Sequence, residues 1–283
     1  MCLIFFSYNL HERYRLVLAA NRDEFYERPT KPLDFWDESP HILGGRDMKG
    51  MGTWMGITRG GRFAAITNFR DLASLKTDAP SRGLLVSNFL AGKAAPEICL
   101  EHISRVGHRY NGFNLLIGDG SGLFYYSNRG NGVQKIEPGL YGLCNHLLDT
   151  PWPKVEKGKA EFEILLEKNE MKHSSCSGPD DWEEDEFYEN IFKLLGNRDC
   201  PPDDTLPDTG VGPAWERILS PLFVFSDIYG TRSSSIVLIE RTGKMIFLER
   251  TFALKDGDVF EQETRKFELK VKSCQRPAGS TYL

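Results

Sequence analysis

Short apolar runs separated by turn residues occupy the start of the chain. Residues 2–7 and 14–20 are apolar and are joined by a polar segment, a pattern that predicts two buried strands in an antiparallel hairpin. Residues 29–40 contain prolines in a polar and aromatic setting, which predicts a loop. The other predicted strands cover residues 52–57, 63–69, 113–117, 123–127, 133–136, 140–145, 222–225, 235–240, 244–249 and 264–271.

Amphipathic spacing predicts helices in two pairs. The predicted helices cover residues 81–90, 96–106, 151–166 and 182–195, and the predicted polar loops cover residues 170–181 and 196–213. The resulting order of strands, helix pair, strands, helix pair and strands lacks the βαβ alternation of a parallel sheet. It predicts an α+β fold of mostly antiparallel sheets with the helices outside. No linker rich in proline or glycine divides the chain, so residues 1–283 are expected to form one domain, with a frayed tail at 274–283.

Composition and charge exclude several classes of protein. The chain has 283 residues, of which 40% are hydrophobic and 27% charged, and a formal net charge of −5. This charge excludes the basic footprint of a nucleic-acid-binding protein and a polybasic membrane anchor. No run approaches the ~18 apolar residues of a transmembrane segment, and the first apolar run lacks the basic lead of a signal peptide. The 6 cysteines form no C-x-x-C pair, which is typical of a reducing compartment and predicts a cytoplasmic protein.

The second residue, Cys2, is the most specific chemical signal in the sequence. Removal of Met1 would leave Cys2 with a free thiol and a free α-amine, whose ordinary pKa values are about 8.5 and about 8. The neutral amine is able to act as general base for the thiol, so that one residue supplies both nucleophile and base. The alternative is a buried structural cysteine on a strand.

Polar residues at the ends of predicted strands are candidates for the other catalytic roles. Asp23 follows the second strand and would orient the amine, while Asn68 and Asn145 would donate hydrogen bonds to the oxyanion of a tetrahedral intermediate. Arg22 would hold a substrate carboxylate or stabilise the thiolate. An asparagine at a strand end is also an ordinary turn residue, and Arg22 with Glu24 is equally consistent with a solvated surface ion pair.

The spacing of histidines and glycines gives little support for a metal or nucleotide site. The 6 histidines show no metal-ligand spacing, so no metal site is predicted. The glycine pairs at 44–45 and 60–61 are better explained as turns than as phosphate-binding loops. Arg232 follows the bend at Gly230, and the pattern is consistent both with a side chain in a cleft and with a simple loop. No cofactor is therefore required by these residues.

A set of short motifs is spread over the whole chain. The motifs are Cys2, residues 19–25 (AANRDEF) with Arg28-Pro29, residues 52–57 (GTWMGI), 67–68 (TN), 111–115 (NGFNL), 141–145 (YGLCN), 150–152 (TPW) and 229–232 (YGTR). Together they resemble the NRDE family, the transport and Golgi organisation protein 2 family. The resemblance extends with similar spacing from Cys2 to about Leu269.

This family is similar to N-terminal nucleophile hydrolases, so the resemblance implies a four-layer αββα sandwich. The bile-salt, penicillin V and acylase-type cysteine amidases carry a terminal cysteine, an Arg-Asn-x-Asp segment, two later asparagines and an arginine. The residues that fall on this pattern are Cys2, Asn21, Asp23, Asn68, Asn145 and Arg232. One position differs, because Ala20 stands where the amidases have arginine. Arg22 lies inside the motif instead, and on a strand it would face away from its two neighbours.

The resemblance implies functions of different classes. The first is a cysteine amidase or thioesterase that acts on a small acylated or lipid-like molecule. The second is a non-catalytic carrier that holds an acyl lipid, or haem as cargo ligated by the Cys2 thiolate. The third is a Golgi or secretory organisation factor, and the oligomeric state is left open. The expected catalytic residues are Cys2, Asp23, Asn68, Asn145 and Arg232, and the expected substrate-binding residues are Asn21, Arg22, Glu24 and Trp54.

Overall fold

Two antiparallel sheets form the centre of the protein in the computed structural model, which describes residues 2–175 and 181–271. The strands are β1 (Cys2–Tyr8), β2 (Tyr14–Phe25), β3 (Thr30–Trp36), β4 (Ser39–Asp47), β5 (Met55–Thr58), β6 (Phe63–Asn68), β7 (Phe113–Asp119), β8 (Gly122–Ser127), β9 (Gly132–Lys135), β10 (Gly139–Leu143), β11 (Tyr229–Glu240), β12 (Lys244–Lys255) and β13 (Asp258–Lys270). The first sheet has the order β10-β1-β2-β11-β12-β13, and the second has the order β3-β4-β5-β6-β7-β8-β9.

Helices cover the outer face of each sheet. They are α1 (Gly83–Ala91), α2 (Pro96–Val106), α3 (Pro153–Ser175), α4 (Asp181–Leu195) and the short α5 (Pro213–Ile218). Apolar residues of α1 and α2 pack on the second sheet, and those of α3 and α4 pack on the first. A third core fills the space between the sheets. The layers are therefore helix, sheet, sheet and helix, and the predicted α+β fold with a four-layer αββα sandwich is confirmed.

The side chains of β2 serve two of these cores. Leu16, Leu18 and Ala20 point into the core between the sheets, whereas Val17 and Ala19 point toward α3 and α4. Successive side chains of a strand face opposite sides of its sheet, so a strand buried on both faces needs an unbroken apolar run. Residues 21–24 of β2 are polar on both faces, which marks this end of the strand as different.

Residues 29–40, predicted as a loop, instead form β3 and the start of β4. β3 is the edge strand of the second sheet, and its pairing with β4 is interrupted between Lys31 and Asp34. Pro32 lies in this interruption, where its missing backbone N–H removes no ladder hydrogen bond. The loop prediction was wrong because an edge strand tolerates proline.

Residues 222–225, predicted as a strand, are irregular although most of them are buried. The Phe223 N–H donates to the carbonyl of Asn197 at 2.9 Å, and the Val224 N–H donates to Thr231 Oγ1 at 2.9 Å. A short apolar run does not by itself distinguish a strand from other buried structure. Here loop and side-chain partners replace the hydrogen bonds of a strand ladder.

Two predicted loops contain helical residues. α3 continues to Ser175, because a polar segment is also able to form a helix. Residues 176–180 of that predicted loop lie outside the described part of the chain. α5 begins at Pro213, where the predicted loop at 196–213 ends. The predicted frayed tail at 274–283 also lies outside the described residues.

Candidate active site

Cys2 is the first residue of β1 and pairs across the sheet with Arg22 of β2. Paired residues of antiparallel strands point to the same face, so Cys2 and Arg22 share the face directed toward the second sheet. Asn21 and Asp23, the neighbours of Arg22, face the helix side. The edge of the sandwich where β1 begins and β2 ends is therefore the place where the predicted site residues meet.

A cleft of about 290 Å³ opens between the two sheets at this edge. Cys2, Arg22, Glu24, Trp54 and Asn68 line it. The structure thus brings together the predicted nucleophile, one predicted oxyanion donor and most of the predicted substrate-binding residues. The volume lies near the lower end of the ~300–1,000 Å³ range for ligand pockets, which suits a small ligand.

Arg22 forms part of the wall of this cleft and is only 6% exposed. Its guanidinium carbon lies 4.4 Å from the centre of the Trp54 ring, a cation–π contact. Its Nη2 atom is 3.8 Å from Glu24 Oε2, whereas Nη1 is buried without a hydrogen-bond partner. Gly45 leaves room for the ring, since a Cβ there would lie 2.1 Å from Trp54 Cη2. A buried cation with an unused donor is a site for an anionic ligand.

The Cys2 thiol is held in its protonated form by its surroundings. Burial raises its pKa, and the negative charges of Asp23 and Glu24 raise it further, while Arg22 lowers it. A thiol in this state needs a base before it acts as a nucleophile. The free α-amine that follows removal of Met1 would be such a base.

Asp23 lies behind the cleft on the helix side of the first sheet and is 2% exposed. Its Oδ1 accepts a hydrogen bond from Thr231 Oγ1 at 2.8 Å, and its carbonyl accepts one from the Tyr229 hydroxyl at 2.8 Å. Burial raises the pKa of Asp23, and the charge of Lys154 and the Thr231 hydrogen bond lower it. The charge of Asp23 also raises the pKa of Cys2, so the two groups are electrostatically coupled.

The two predicted oxyanion donors lie at different depths. Asn68, at the end of β6, lines the cleft. Asn145 is fully buried, and its Nδ2 donates to the Asn68 carbonyl at 3.0 Å. The Arg70 N–H donates to the Asn145 carbonyl at 2.7 Å. Asn145 therefore fixes the position of Asn68 from behind, and only Asn68 of this pair is in the cleft.

Asn21, predicted to bind substrate, has its side chain on the helix side of the sheet. Its Nδ2 donates to the carbonyls of Leu195 at 2.8 Å and Leu222 at 2.9 Å, and its Oδ1 accepts from Ser234 Oγ at 2.6 Å. The alternation of side chains along β2 explains this placement, because Asn21 and Arg22 must face opposite sides. Asn21 joins β2 to the end of α4 and to the segment before β11.

Arg232, predicted to be catalytic, also lies outside the cleft that contains Cys2. It occupies a bulge of β11, between the paired residues Thr231 and Ser233. Its Nη1 donates to the carbonyls of Phe25 and Tyr26, both at 2.9 Å. Arg232 therefore supports the turn that follows β2, and its side chain lines a neighbouring cavity.

Several charged residues of the cleft were not predicted. Arg28 makes a two-point contact with Asp47, through Nε at 3.1 Å and Nη2 at 2.7 Å. Arg82, just before α1, lines the same cleft and donates from Nη1 to the Gly112 carbonyl at 2.9 Å. Burial lowers the pKa of Arg82, and electrostatic interactions with Cys2 and Glu24 oppose that change. Arg28 and Arg82 lie outside the strands and helices, where no strand or helix period signals their direction.

The charges around the cleft do not balance. Arg28 and Asp47 neutralise each other, which leaves the cations Arg22 and Arg82 with the single anion Glu24 among the charged lining residues. This positive excess stands in a chain whose formal net charge is −5. The cleft is therefore suited to a small molecule that carries a negative charge.

Among residues 2–175 and 181–271, no three His, Cys, Asp or Glu side chains are grouped so as to hold a metal ion. None of the helices in that part of the chain has the length and apolar content needed to span a membrane.

The fold and the cleft define a four-layer α+β protein whose first strand begins with a cysteine facing a cation-rich pocket. The chain belongs to the transport and Golgi organisation 2 family, whose model matches residues 1–254. The mouse protein named Transport and Golgi organization 2 homolog is 37% identical over 290 residues, covering 95% of this chain and 100% of its own length. The Drosophila melanogaster Transport and Golgi organization protein 2 is 30% identical over 272 residues, covering 89% of this chain and 92% of its own.

Solved structures with a similar fold share little sequence with this chain. A Caenorhabditis elegans ortholog of N-acylethanolamine-hydrolyzing acid amidase is 10% identical, with a TM-score of 0.42, covering 84% of this chain and 92% of its own. A conjugated bile acid hydrolase from Clostridium perfringens is 11% identical, with a TM-score of 0.35, covering 95% of this chain and 89% of its own.

Proposed function

We propose that the protein is a cysteine hydrolase, an amidase or thioesterase, that cleaves a small acylated molecule in the cleft beside Cys2. The observation that carries this proposal is the placement of Cys2, Asn68 and Arg22 on the walls of one cleft. A nucleophile, an amide donor and a cation within one small volume are the groups that acyl transfer uses. The proposal requires removal of Met1, because only then is the α-amine of Cys2 free.

In the first step, Cys2 Sγ attacks the acyl carbon while the α-amine of the same residue accepts the thiol proton. The carbonyl oxygen becomes an oxyanion that accepts a hydrogen bond from the Asn68 side chain. The bond from the acyl carbon to the leaving nitrogen or sulfur then breaks, and the leaving atom takes the proton from the Cys2 ammonium. Water, deprotonated by the same amine, attacks the resulting thioester and releases the acid and the Cys2 thiol.

The remaining predicted residues have positioning roles in this proposal. Asp23, coupled electrostatically to Cys2, orients the α-amine from the helix side of the sheet. Asn145 holds Asn68 through the hydrogen bond to its carbonyl. Arg232 holds the turn after β2 through the carbonyls that accept its hydrogen bonds. Their side chains lie outside the lining of the cleft, so none is proposed to touch the substrate.

The substrate is proposed to carry an anionic group. Arg22 Nη1 is buried without a hydrogen-bond partner, and Arg28 is already neutralised by Asp47. A carboxylate or phosphate on the acyl or leaving group would complete the hydrogen bonding of Arg22 by a charge-assisted contact.

Turnover of short acyl amides and acyl thioesters, with and without a carboxylate, tests this proposal. Substrates that carry a carboxylate are expected to be hydrolysed, and Cys2→Ser is expected to reduce turnover to background. Cys99→Ser is the matched control, because Cys99 is also partly buried and burial also raises the pKa of its thiol. Turnover that persists in Cys2→Ser would contradict the proposal.

A carrier of haem or of an acyl lipid is the second proposal, supported by the indole of Trp54 beside the thiol of Cys2 in one cleft. Titration with haem and with acyl-CoA, on wild type and on Cys2→Ser, separates the two. Binding that survives the substitution, without turnover, would favour a carrier. A part in Golgi organisation, which the names of the relatives state for those proteins, would be favoured if neither compound binds.

We further propose that the protein acts in the cytoplasm. Cys2, Cys99, Cys144 and Cys200 are free thiols in the described part of the chain, as expected in a reducing compartment. Cell fractionation tests this location, and recovery of the protein from the lumen of an organelle would contradict it.

A further inference from the structure

A second cavity, of about 180 Å³, lies beside the cleft and shares Arg22 and Trp54 with it as walls. It is enclosed between the first sheet and the edge strand β3 of the second. Its lining includes Arg232, Ser233, Glu249 and Gln262. We call it the β3 cavity. Cys2 is not among its lining residues, so nothing in the proposed hydrolase chemistry accounts for it.

The β3 cavity lies where the inward-facing residues of three neighbouring strands change from apolar to polar. β2, β11 and β12 are adjacent in the first sheet. Their inward-facing residues begin as members of the core between the sheets. Toward the same edge of the sandwich the inward positions become polar. Arg22 of β2 pairs with Ser233 of β11, and Glu249 of β12 pairs with Ser235 of β11, one inward position closer to the core. Polar residues at positions that face a core need partners, so their alignment indicates a built site.

Each of these three residues carries a buried polar atom that lacks a well-formed hydrogen bond. Arg22 Nη1, Ser233 Oγ and Glu249 Oε2 have no hydrogen bond of ordinary geometry, although Ser233 lies close enough to Glu249 to lower the pKa of its carboxyl. The three residues are 6%, 3% and 1% exposed. The other Glu249 oxygen accepts a hydrogen bond from the Leu33 N–H at 2.6 Å. A buried donor or acceptor that is left unpaired is costly, and native proteins satisfy almost all of them. The three atoms therefore point to a ligand that supplies what is missing.

The charge of the β3 cavity differs from that of the cleft. Its charged lining residues are two cations, Arg22 and Arg232, and two anions, Glu249 and Glu263. An anionic ligand would meet the anions, and a cationic ligand would meet the arginines. A ligand with both charges satisfies both groups.

The unpaired atoms and the size of the β3 cavity specify the ligand further. Arg22 Nη1 offers a donor for a carboxylate, and Glu249 Oε2 offers an acceptor for an ammonium group. The β3 cavity, of about 180 Å³, is smaller than the cleft, which suits a small ligand.

We propose that the β3 cavity binds a small free α-amino acid, with its carboxylate on Arg22 and its ammonium group on Glu249, beside the Ser233 hydroxyl. The site does not involve Cys2, but it shares Arg22 with the cleft. An amino acid in the β3 cavity and the anionic group of a substrate in the cleft would therefore compete for Arg22 Nη1.

Isothermal titration calorimetry with glycine, L-alanine and L-serine tests the proposal on wild type and on Cys2→Ser. Saturable binding of at least one of them is expected, with the same affinity in both proteins. Acetate and methylammonium, which each carry one of the two charges, are expected to bind at least tenfold more weakly. Glycine betaine has both charges but no N–H donor, and it is expected to fail.

Glu249→Gln is expected to weaken amino-acid binding at least tenfold, and Ser233→Ala provides a second variant should the first fold poorly. The matched control is Glu261→Gln on β13, because Glu261 is exposed and contacts Arg250 rather than the β3 cavity. No binding of any amino acid at millimolar concentration would overturn the proposal. Equal binding of acetate, or full affinity in Glu249→Gln, would also overturn it.

Discussion

The two faces of β2 at its C-terminal end differ in how completely their polar groups are bonded. On the helix side, Asn21 uses both its amide nitrogen and its oxygen in three hydrogen bonds, and Asp23 is bonded to Thr231. On the side between the sheets, Arg22 keeps a buried nitrogen without a partner. Neighbouring residues of one motif therefore serve different purposes. The polar groups on the helix side are hydrogen-bonded and stabilise the fold. The side between the sheets keeps an unpaired donor that is available to a ligand.

Loss of the Asn21 hydrogen bonds on the helix side of β2 should have the largest effect on stability. Asn21→Ala would leave two buried carbonyls and the Ser234 hydroxyl without their partner, at a cost of about 4 kcal/mol in the free energy of unfolding. Urea unfolding monitored by circular dichroism measures this loss. A change below about 1 kcal/mol would contradict the structural role of Asn21.

The buried carboxyl of Glu249 should make stability depend on pH. Burial raises its pKa from 4.5 to about 7, against the lowering effects of the Leu33 N–H, Ser233 and Arg22. The folded protein thus holds this proton more tightly than the unfolded chain does, so stability is full below about pH 4.5 and falls as pH rises toward 7. The loss is about 3 kcal/mol.

Urea unfolding at several pH values between 4 and 8, on wild type and Glu249→Gln, measures this dependence. The variant is expected to lack the part of the pH dependence that belongs to Glu249. Parallel stability profiles of the two proteins would show that Glu249 does not titrate in this range in the folded state.

Substitution of Arg22, which lies on the side of β2 between the sheets, should change function rather than folding. Arg22→Met keeps much of the side-chain volume and removes a buried cation whose Nη1 has no hydrogen-bond partner, so stability should stay within about 1 kcal/mol of wild type. Loss of a charge-assisted hydrogen bond should lower kcat/KM for an anionic acyl substrate by ~10–100-fold. The matched substrate without the charge should be almost unaffected. An equal loss for both substrates would mean that Arg22 acts on the structure and not on the charge.

The smallest effect is expected at Gly45, beneath the indole that separates the cleft from the β3 cavity. A Cβ at this position would lie 2.1 Å from Trp54 Cη2, so Gly45→Ala should displace the ring at a cost of about 1 kcal/mol. A shift in tryptophan fluorescence, together with weaker ligand binding, would be measured. An unchanged spectrum would show that Trp54 is not held against Gly45.

Much of the fold follows from the hydrophobic pattern, because buried strands and amphipathic helices leave strong periodic signals. Two of the errors arose where the local sequence pattern is ambiguous. Pro32 favoured the prediction of a loop, because the sequence does not show that β3 lies at an edge of the sheet. The apolar run at 222–225 resembled a strand because burial does not reveal the hydrogen-bond partners of the backbone.

The candidate site was predictable only in part, for a related reason. Alternation along β2 correctly separates Arg22 from Asn21 and Asp23, and the resemblance joins Cys2 to the distant Asn68. Arg82 lies on a turn, and the sequence does not determine its direction. Glu249 did leave a signal, since it stands at an inward position of β12 after Met245 and Phe247. A carboxylate at an inward position of an otherwise apolar strand is therefore, like a sequence motif, a signal for a candidate site.

The most direct test of the proposed nucleophile is the intact mass of the protein after brief reaction with a short acyl thioester, followed by peptide mapping. The proposed mechanism predicts a chain without Met1 that carries one acyl group on the Cys2 sulfur, and no such adduct in Cys2→Ser. A chain that retains Met1, or an acyl group carried elsewhere while Cys2 stays free, would contradict it.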